Sequence, residues 1–142
     1  MYRKILVALE NGPADEALVP HVAGLARMCG AELLLLHVAD GWAARHFDQL
    51  KLAESEEMLA DRDYLAQLTR RLAAEGLQVS AQLAAGDPPA EILRVAEAEQ
   101  CDLIAMASHG HRLFKDIVLG TTIDPVRHRA QVPVLLVRAP RK

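Results

Sequence analysis

A cluster of glycine, hydroxyl and imidazole residues follows an apolar run in the last third of the chain. The cluster comprises Ser108, His109, Gly110, Gly120, Thr121 and Thr122. Glycines let a backbone approach oxygen atoms that a Cβ would hold away, and the N–H groups at a helix start attract anions. The cluster is therefore compatible with a phosphate site. A plain turn at Gly110 with an ordinary helix cap at Thr122 is the alternative, since no Walker A or GxGxxG motif is present.

Five apolar runs precede or alternate with helical patterns and would position this cluster. The runs are residues 5–9, 33–38, 79–83, 103–107 and 132–137, and the helical patterns cover 14–29, 50–74, 90–98 and 122–129. Four runs are continuously apolar, as in strands covered on both faces, whereas 79–83 alternates and suits an edge. The alternation predicts an α/β fold, a doubly wound parallel sheet with helices on both faces.

Several residues set the expected helix limits. Pro20 predicts either a kink in the first helix or a later start, and Gly30 is expected to end it. Pro88 and Pro89 open the third helix. In the second helix a leucine stripe faces the core, and the charged residues, including Asp61, are assigned to other faces. The connection at residues 40–49, which contains Trp42, is either a mobile lid or a packed loop.

In a doubly wound sheet, ligands bind beyond the carboxyl ends of the strands, where the winding reverses. The residues after the first and fourth runs, Glu10 and Ala107 to Gly110, then face one crevice. Residues 120–122 are expected to open the last helix beside it. The predicted site is therefore shared between two strand ends and one helix N-terminus.

The composition of the chain excludes several classes of function. The 142 residues are expected to form one domain, 1–142, and the net charge of −3 with 4% aromatics argues against nucleic-acid binding. The apolar runs are too short to span a membrane. Cys29 and Cys101 lack a CxxC spacing, so we expect free thiols in a reducing, cytoplasmic setting.

Nothing in the sequence predicts catalysis. There is no nucleophile elbow and no carboxylate pair with acid–base logic, and Ser108 is the only serine expected at the cleft. His109 and His111 lack an obvious third metal ligand nearby. We therefore predict no catalytic residues, no resident metal site and at most slow hydrolysis of a bound nucleotide.

Six segments in order, "KILVAL", "LLLLHV", "GDPPAEIL", "DLIAMASHG", "LGTT" and "VPVLLVR", resemble the universal stress protein family over essentially the whole chain. The resemblance implies a five-stranded parallel sheet of order 3-2-1-4-5, similar to the adenine nucleotide alpha hydrolases. It also implies a stress-response protein that binds ATP and acts by binding.

The nucleotide-binding branch of that family is similar in its pattern G-x-x-G-(nine residues)-G-[S/T]. Gly110, Gly120 and Thr121 match it, and Ala107 replaces the first glycine. Glu10 stands where the family often has aspartate, near the ribose and the metal. Val38 matches the position whose backbone contacts adenine in the family. The implied nucleotide site is Leu9, Glu10, Val38, Ala107, Ser108, His109, Gly110, Arg112, Gly120, Thr121 and Thr122.

A cation and a second copy of the chain are the remaining expected partners. The positive charges of Arg112 and Lys115, reduced by the negative charge of Asp116, are too few to balance the negative charge of a triphosphate. We therefore expect Mg²⁺ to bind together with ATP. The resemblance implies a homodimer through the C-terminal strand, 132–137, paired antiparallel about a two-fold axis. The alternative is a family member that binds no nucleotide and acts through protein contacts.

Overall fold

A computed structural model of the protein describes residues 1–40, 47–109 and 114–140, with side chains at all of these except 40, 47–55 and 114–121. Strands and helices alternate along the chain. The strands are β1 (Lys4–Leu9), β2 (Glu32–Asp40), β3 (Val79–Gly86), β4 (Leu103–Ser108) and β5 (Val134–Arg138). The helices are α1 (Asp15–Cys29), α2 (Phe47–Ala74), α3 (Pro88–Ala98) and α4 (Phe114–Arg129).

All strand pairs are parallel, and the sheet order is β3-β2-β1-β4-β5. The predicted α/β class and order 3-2-1-4-5 are therefore confirmed. β3 lies at an edge, as its alternating sequence predicted. The winding reverses between β1 and β4, because the chain proceeds from β1 towards β2 and from β4 towards β5.

Each strand is apolar along its length because successive side chains enter two different cores. Ile5, Val7 and Leu9 pack on the face covered by α1 and α2. Leu6 and Ala8 pack on the face covered by α3 and α4. This alternation decides, residue by residue, which side chains reach which face of the site.

The helix limits differ in part from expectation. α1 begins at Asp15, before Pro20, so the later start is wrong; Gly30 ends the helix with φ of 68° in the left-handed region. α3 starts at Pro88, and the Asp87 carboxylate accepts from the Ala90 N–H. α2 starts at Phe47, which shortens the connection expected at 40–49. Residues 41–46, with Trp42, lie outside the described residues.

Two expected boundaries near the site need correction. α4 begins at Phe114 and not near Thr122, so residues 120–122 lie inside the helix and do not open it. Glycine within a helix costs only about 1 kcal/mol, and threonine less, so neither stops a helix that has already begun. β5 starts at Val134 and not at Val132, because Pro133 has no N–H for the ladder.

Candidate functional site

A cleft of about 220 Å³ opens at the carboxyl ends of β1, β2 and β4. Its floor is apolar and belongs to the α3–α4 face of the sheet. The lining side chains on this face are Ala8, Leu36, Val38, Ile92, Met106 and Ile123. The cleft lies beside the point where the winding reverses, which is where open α/β sheets bind ligands.

The strand ends form the rim of the cleft. Leu9, Glu10 and Ala107 line it, and so does Thr122 from α4. With Val38 in the floor, five of the residues predicted from the sequence are thus brought together. Their role in binding a nucleotide stays a prediction.

β2 continues past its neighbour at this point. The last register pair between β1 and β2 joins Leu9 to His37, whereas β2 extends to Asp40. The edge of β2 that faces β1 is therefore open beyond His37, at Val38. Backbone N–H and C=O groups there suit the hydrogen-bonding edge of a flat heterocycle.

Glu10 and His109 face each other across the rim. His109 Nε2 lies 3.0 Å and 3.1 Å from the two Glu10 carboxylate oxygens, so this nitrogen carries the hydrogen and donates. The His109 side chain is 13% exposed and that of Glu10 is 27% exposed. The pair places one carboxylate and one imidazole where the polar part of a ligand would leave the apolar floor.

The other predicted site residues are placed less directly. Ser108 lies at the end of β4, and its carbonyl accepts from the Ala139 N–H at 2.7 Å. Gly120 and Thr121 lie within α4, and their side-chain surroundings are not described. Gly110 and Arg112 lie outside the described residues.

Ala107 stands where the family motif has glycine, and the structure places its methyl group. Ala107 is 3% exposed and belongs to the core on the α1–α2 face, whereas the cleft floor is on the α3–α4 face. The additional methyl therefore packs into the core beside β5. It does not occupy the apolar floor.

A polar network lies under the rim, and the sequence did not predict it. Asp15 accepts from the N–H groups of Glu10 at 3.0 Å and Asn11 at 2.9 Å, and from the Tyr64 hydroxyl at 2.6 Å. Asp61 accepts from Asn11 Nδ2 at 2.8 Å. Both carboxylates are buried. Burial and the neighbouring Asp15 carboxylate hold the pKa of Tyr64 well above its usual range.

The assignment of Asp61 to a solvent face is wrong. Asp61 is 5% exposed and lies four residues before Leu65 and seven before Leu68, which both pack in the core. This spacing places Asp61 on the apolar stripe of α2. The helical spacing could have indicated that Asp61 is buried, because it puts this charged residue on the same helix face as the buried leucines.

Among the described residues, no three His, Cys, Asp or Glu side chains are grouped so as to hold a metal ion. None of the described helices is both long enough and apolar enough to cross a bilayer.

Together, the parallel sheet and its cleft define a small α/β protein with an open cleft at the switch point. Residues 1–138 match the family model of the universal stress protein family. A universal stress protein of Methanothermobacter thermautotrophicus is 34% identical over 144 residues, covering 97% of each chain. The chain belongs to the universal stress protein family.

Solved structures agree with this fold. The structure of the hypothetical protein MJ0577 from Methanocaldococcus jannaschii is similar with a TM-score of 0.82 at 27% identity, over 100% of this chain and 99% of that one. A universal stress protein from Archaeoglobus fulgidus, solved in complex with dAMP, has a TM-score of 0.71 at 21% identity. That alignment covers 96% of this chain and 98% of the other.

Proposed function

We propose that this protein binds an adenine nucleotide, ATP together with Mg²⁺, in the cleft at the ends of β1, β2 and β4. The observation that carries the proposal is an apolar floor joined to a polar rim at the switch point. The complex of a family member with dAMP supports adenine as the base. The protein then serves in a stress response by changing its contacts when the nucleotide is bound.

The cleft volume indicates which part of the nucleotide it receives. About 220 Å³ is below the roughly 300–1,000 Å³ usual for a complete ligand pocket. The apolar floor therefore takes the base, with the open backbone at Val38 along its edge. The sugar lies at Glu10, and the phosphates extend towards Ser108, His109 and the segment that contains Gly110, Arg112, Gly120, Thr121 and Thr122.

Mg²⁺ fits this arrangement as a partner of the phosphates. Magnesium in nucleotide sites commonly binds one or two carboxylates together with phosphate oxygens and water. Glu10 supplies a carboxylate at the rim. When bound, the ion neutralises phosphate charge; the chain's own residues hold the base and sugar.

The proposed action is binding and not turnover. Among the described side chains of the rim, His109 and Glu10 are paired with each other, and Nε2 of His109 donates to the carboxylate, so this nitrogen has no lone pair with which to activate water. We expect ATP hydrolysis far below the roughly 1–10³ s⁻¹ of ordinary enzymes. A hydrolysis rate within that range that persists through further purification would contradict this part of the proposal.

Calorimetry and extraction test nucleotide binding directly. The protein purified without added nucleotide is denatured, and the supernatant is analysed for adenine nucleotides; ATP is then titrated into the emptied protein with and without Mg²⁺. We expect saturable binding at one site per chain. No binding at millimolar ATP would favour the alternative, a family member that acts through protein contacts alone.

We also propose a homodimer through β5. This strand is at the sheet edge, and Leu136 within it is 37% exposed, so its unpaired backbone and apolar surface favour pairing with a second copy. Light scattering should give a dimer at micromolar concentration and a monomer for Val134→Lys. Ser80→Lys, on the opposite edge strand β3, is the matched control and should remain dimeric. A monomeric parent would exclude the dimer.

A further inference from the structure

His37 connects the floor of the cleft to the polar network under its rim. Its Nδ1 lies 2.9 Å from the Leu9 carbonyl oxygen, and its Nε2 lies 3.4 Å from Asp61 Oδ2. The side chains of His37 and Asp61 are 14% and 7% exposed. A histidine therefore lies between a strand end and a buried carboxylate of α2.

Both groups that His37 faces are hydrogen-bond acceptors. A backbone carbonyl oxygen carries no hydrogen, so Nδ1 must donate to Leu9. If the ring were neutral, the lone pair of Nε2 would then face the Asp61 carboxylate. With hydrogens on both nitrogens, Nδ1 donates to Leu9 and the positively charged ring lies at ion-pair distance from the buried carboxylate, whose charge it offsets.

Asp61 also restrains the turn that follows β1. Asn11 has φ of 59°, in the left-handed region that non-glycine residues seldom adopt. Its side chain donates to Asp61 and its backbone N–H donates to Asp15. Glu10 precedes Asn11, and its own N–H is bonded to Asp15, so the direction of the Glu10 carboxylate depends on this turn.

We propose that Asp61 is a positioning residue for the cleft: with a doubly protonated His37 it holds the Glu10–Asn11 turn, so that α2 helps to set the shape of the rim. The effect on ligand binding rests on the proposed nucleotide site. The protonation of His37 and the order of the turn do not depend on it. Asp15 and Tyr64 complete the network around the turn, and His109 faces Glu10 from β4.

Nitrogen–proton correlation spectra of the histidine rings at pH 7 test the first part. We expect hydrogens on both His37 nitrogens in the parent. In Asp61→Asn, the amide can accept from Asn11 and donate to Nε2, so the fold is kept and His37 becomes neutral. Asp63→Asn is the matched control, since Asp63 is exposed on the same helix and accepts from Gln67.

Two results would overturn this part. One is a parent His37 with a bare ring nitrogen at pH 7. The other is a His37 spectrum that is the same in Asp61→Asn as in the parent. A changed spectrum in Asp63→Asn would likewise count against a specific role for Asp61.

Asn11→Gly tests the hold on the turn. It removes the bond to Asp61, while glycine accepts the positive φ without strain. We expect the Glu10 amide to exchange about tenfold faster and ATP to bind about fivefold more weakly, as for the loss of one hydrogen bond to a charged group. Gln100→Gly is the control, because Gln100 also has a positive φ, 57°, at the far end of the sheet.

The control separates added flexibility from the loss of the Asp61 contact. If Glu10 exchange in Asn11→Gly rises no more than Glu99 exchange in Gln100→Gly, or if ATP affinity is unchanged, Asp61 does not position the rim. If the parent itself binds no adenine nucleotide, the proposed function fails. The ring spectra and the exchange rates still decide whether Asp61 holds the turn.

Discussion

The two faces of the sheet differ at its carboxyl end, although the same strands supply both. On the α3–α4 face, Leu36 and Val38 line an open apolar cleft. On the α1–α2 face, His37 between them joins a polar network whose carboxylates are buried. Because side chains alternate along a strand, one residue step separates a binding surface from its support. Among the described residues, the floor of the open face carries apolar side chains, whereas the closed face carries the buried polar ones.

The largest effect should come from filling the open face. Ala8 is half-buried in the cleft floor, so Ala8→Phe would place a ring where the base is proposed to lie. We expect ATP affinity to fall by more than about 100-fold, since the base contact is lost altogether. Because the ring enters an existing cleft, the fold should be kept.

Ala66→Phe provides the matched control for this change. Ala66 is exposed on α2, on the other side of the sheet. Calorimetry should give the parent's affinity for this variant. Unchanged ATP binding in Ala8→Phe, with the control also unchanged, would move the nucleotide out of the proposed cleft.

A second effect contrasts the two ends of the α3–α4 face. Cys101 lies at the amino end of the sheet on that face and is 5% exposed, and burial raises the pKa of its thiol to about 11. At pH 8 about one-thousandth of such a thiol is ionised, and only the thiolate reacts with alkylating agents. We expect iodoacetamide to modify Cys29 at least about 100-fold faster than Cys101, followed by peptide mass spectrometry.

Denaturation supplies the control for the cysteine comparison. In urea both thiols lose their surroundings, and the two rates should become equal. Fast labelling of Cys101 in the folded protein would mean that the amino end of this face opens as readily as the cleft end. The contrast between the two ends would then be wrong.

The fold followed closely from the sequence, because continuous apolar runs require helices on both faces of a sheet. The order of the strands came from the family resemblance, and the structure confirms it. Local signals were sufficient for Gly30 and Pro88, where the backbone requirement lies within one or two residues. They were insufficient for the start of α4, because glycine at 120 weakens a helix without ending it.

Only part of the candidate site could be predicted from the sequence. Strand ends converge by topology, so Glu10, Val38 and Ala107 could be grouped from sequence position alone. Asp61 could not, because its partner Asn11 lies in the turn after β1 and its partner His37 lies in β2. A charged residue on an apolar stripe signals a buried network, but its partners are known only once the helix is docked.

The smallest effect concerns the closed face. The Tyr64 hydroxyl donates to Asp15, so Tyr64→Phe should lower the free energy of unfolding by about 1–2 kcal/mol, the cost of a half-buried hydrogen bond to a charged group. Tyr2→Phe is the control, since Tyr2 packs against the same core, and it should change stability by less than about 0.5 kcal/mol. Urea unfolding measures both.

The pH dependence of that difference identifies its origin. Because burial and Asp15 raise the pKa of Tyr64 in the folded state, its contribution is complete below the unfolded value of about 10 and is lost as the pH rises further. The difference in unfolding free energy between the parent and Tyr64→Phe should therefore be constant from pH 7 to about pH 9.5 and shrink above pH 10. A difference in unfolding free energy that widens at high pH would mean that Tyr64 is not the donor to Asp15. The Asp15 carboxylate would then depend on the backbone N–H groups of Glu10 and Asn11 for its stabilisation.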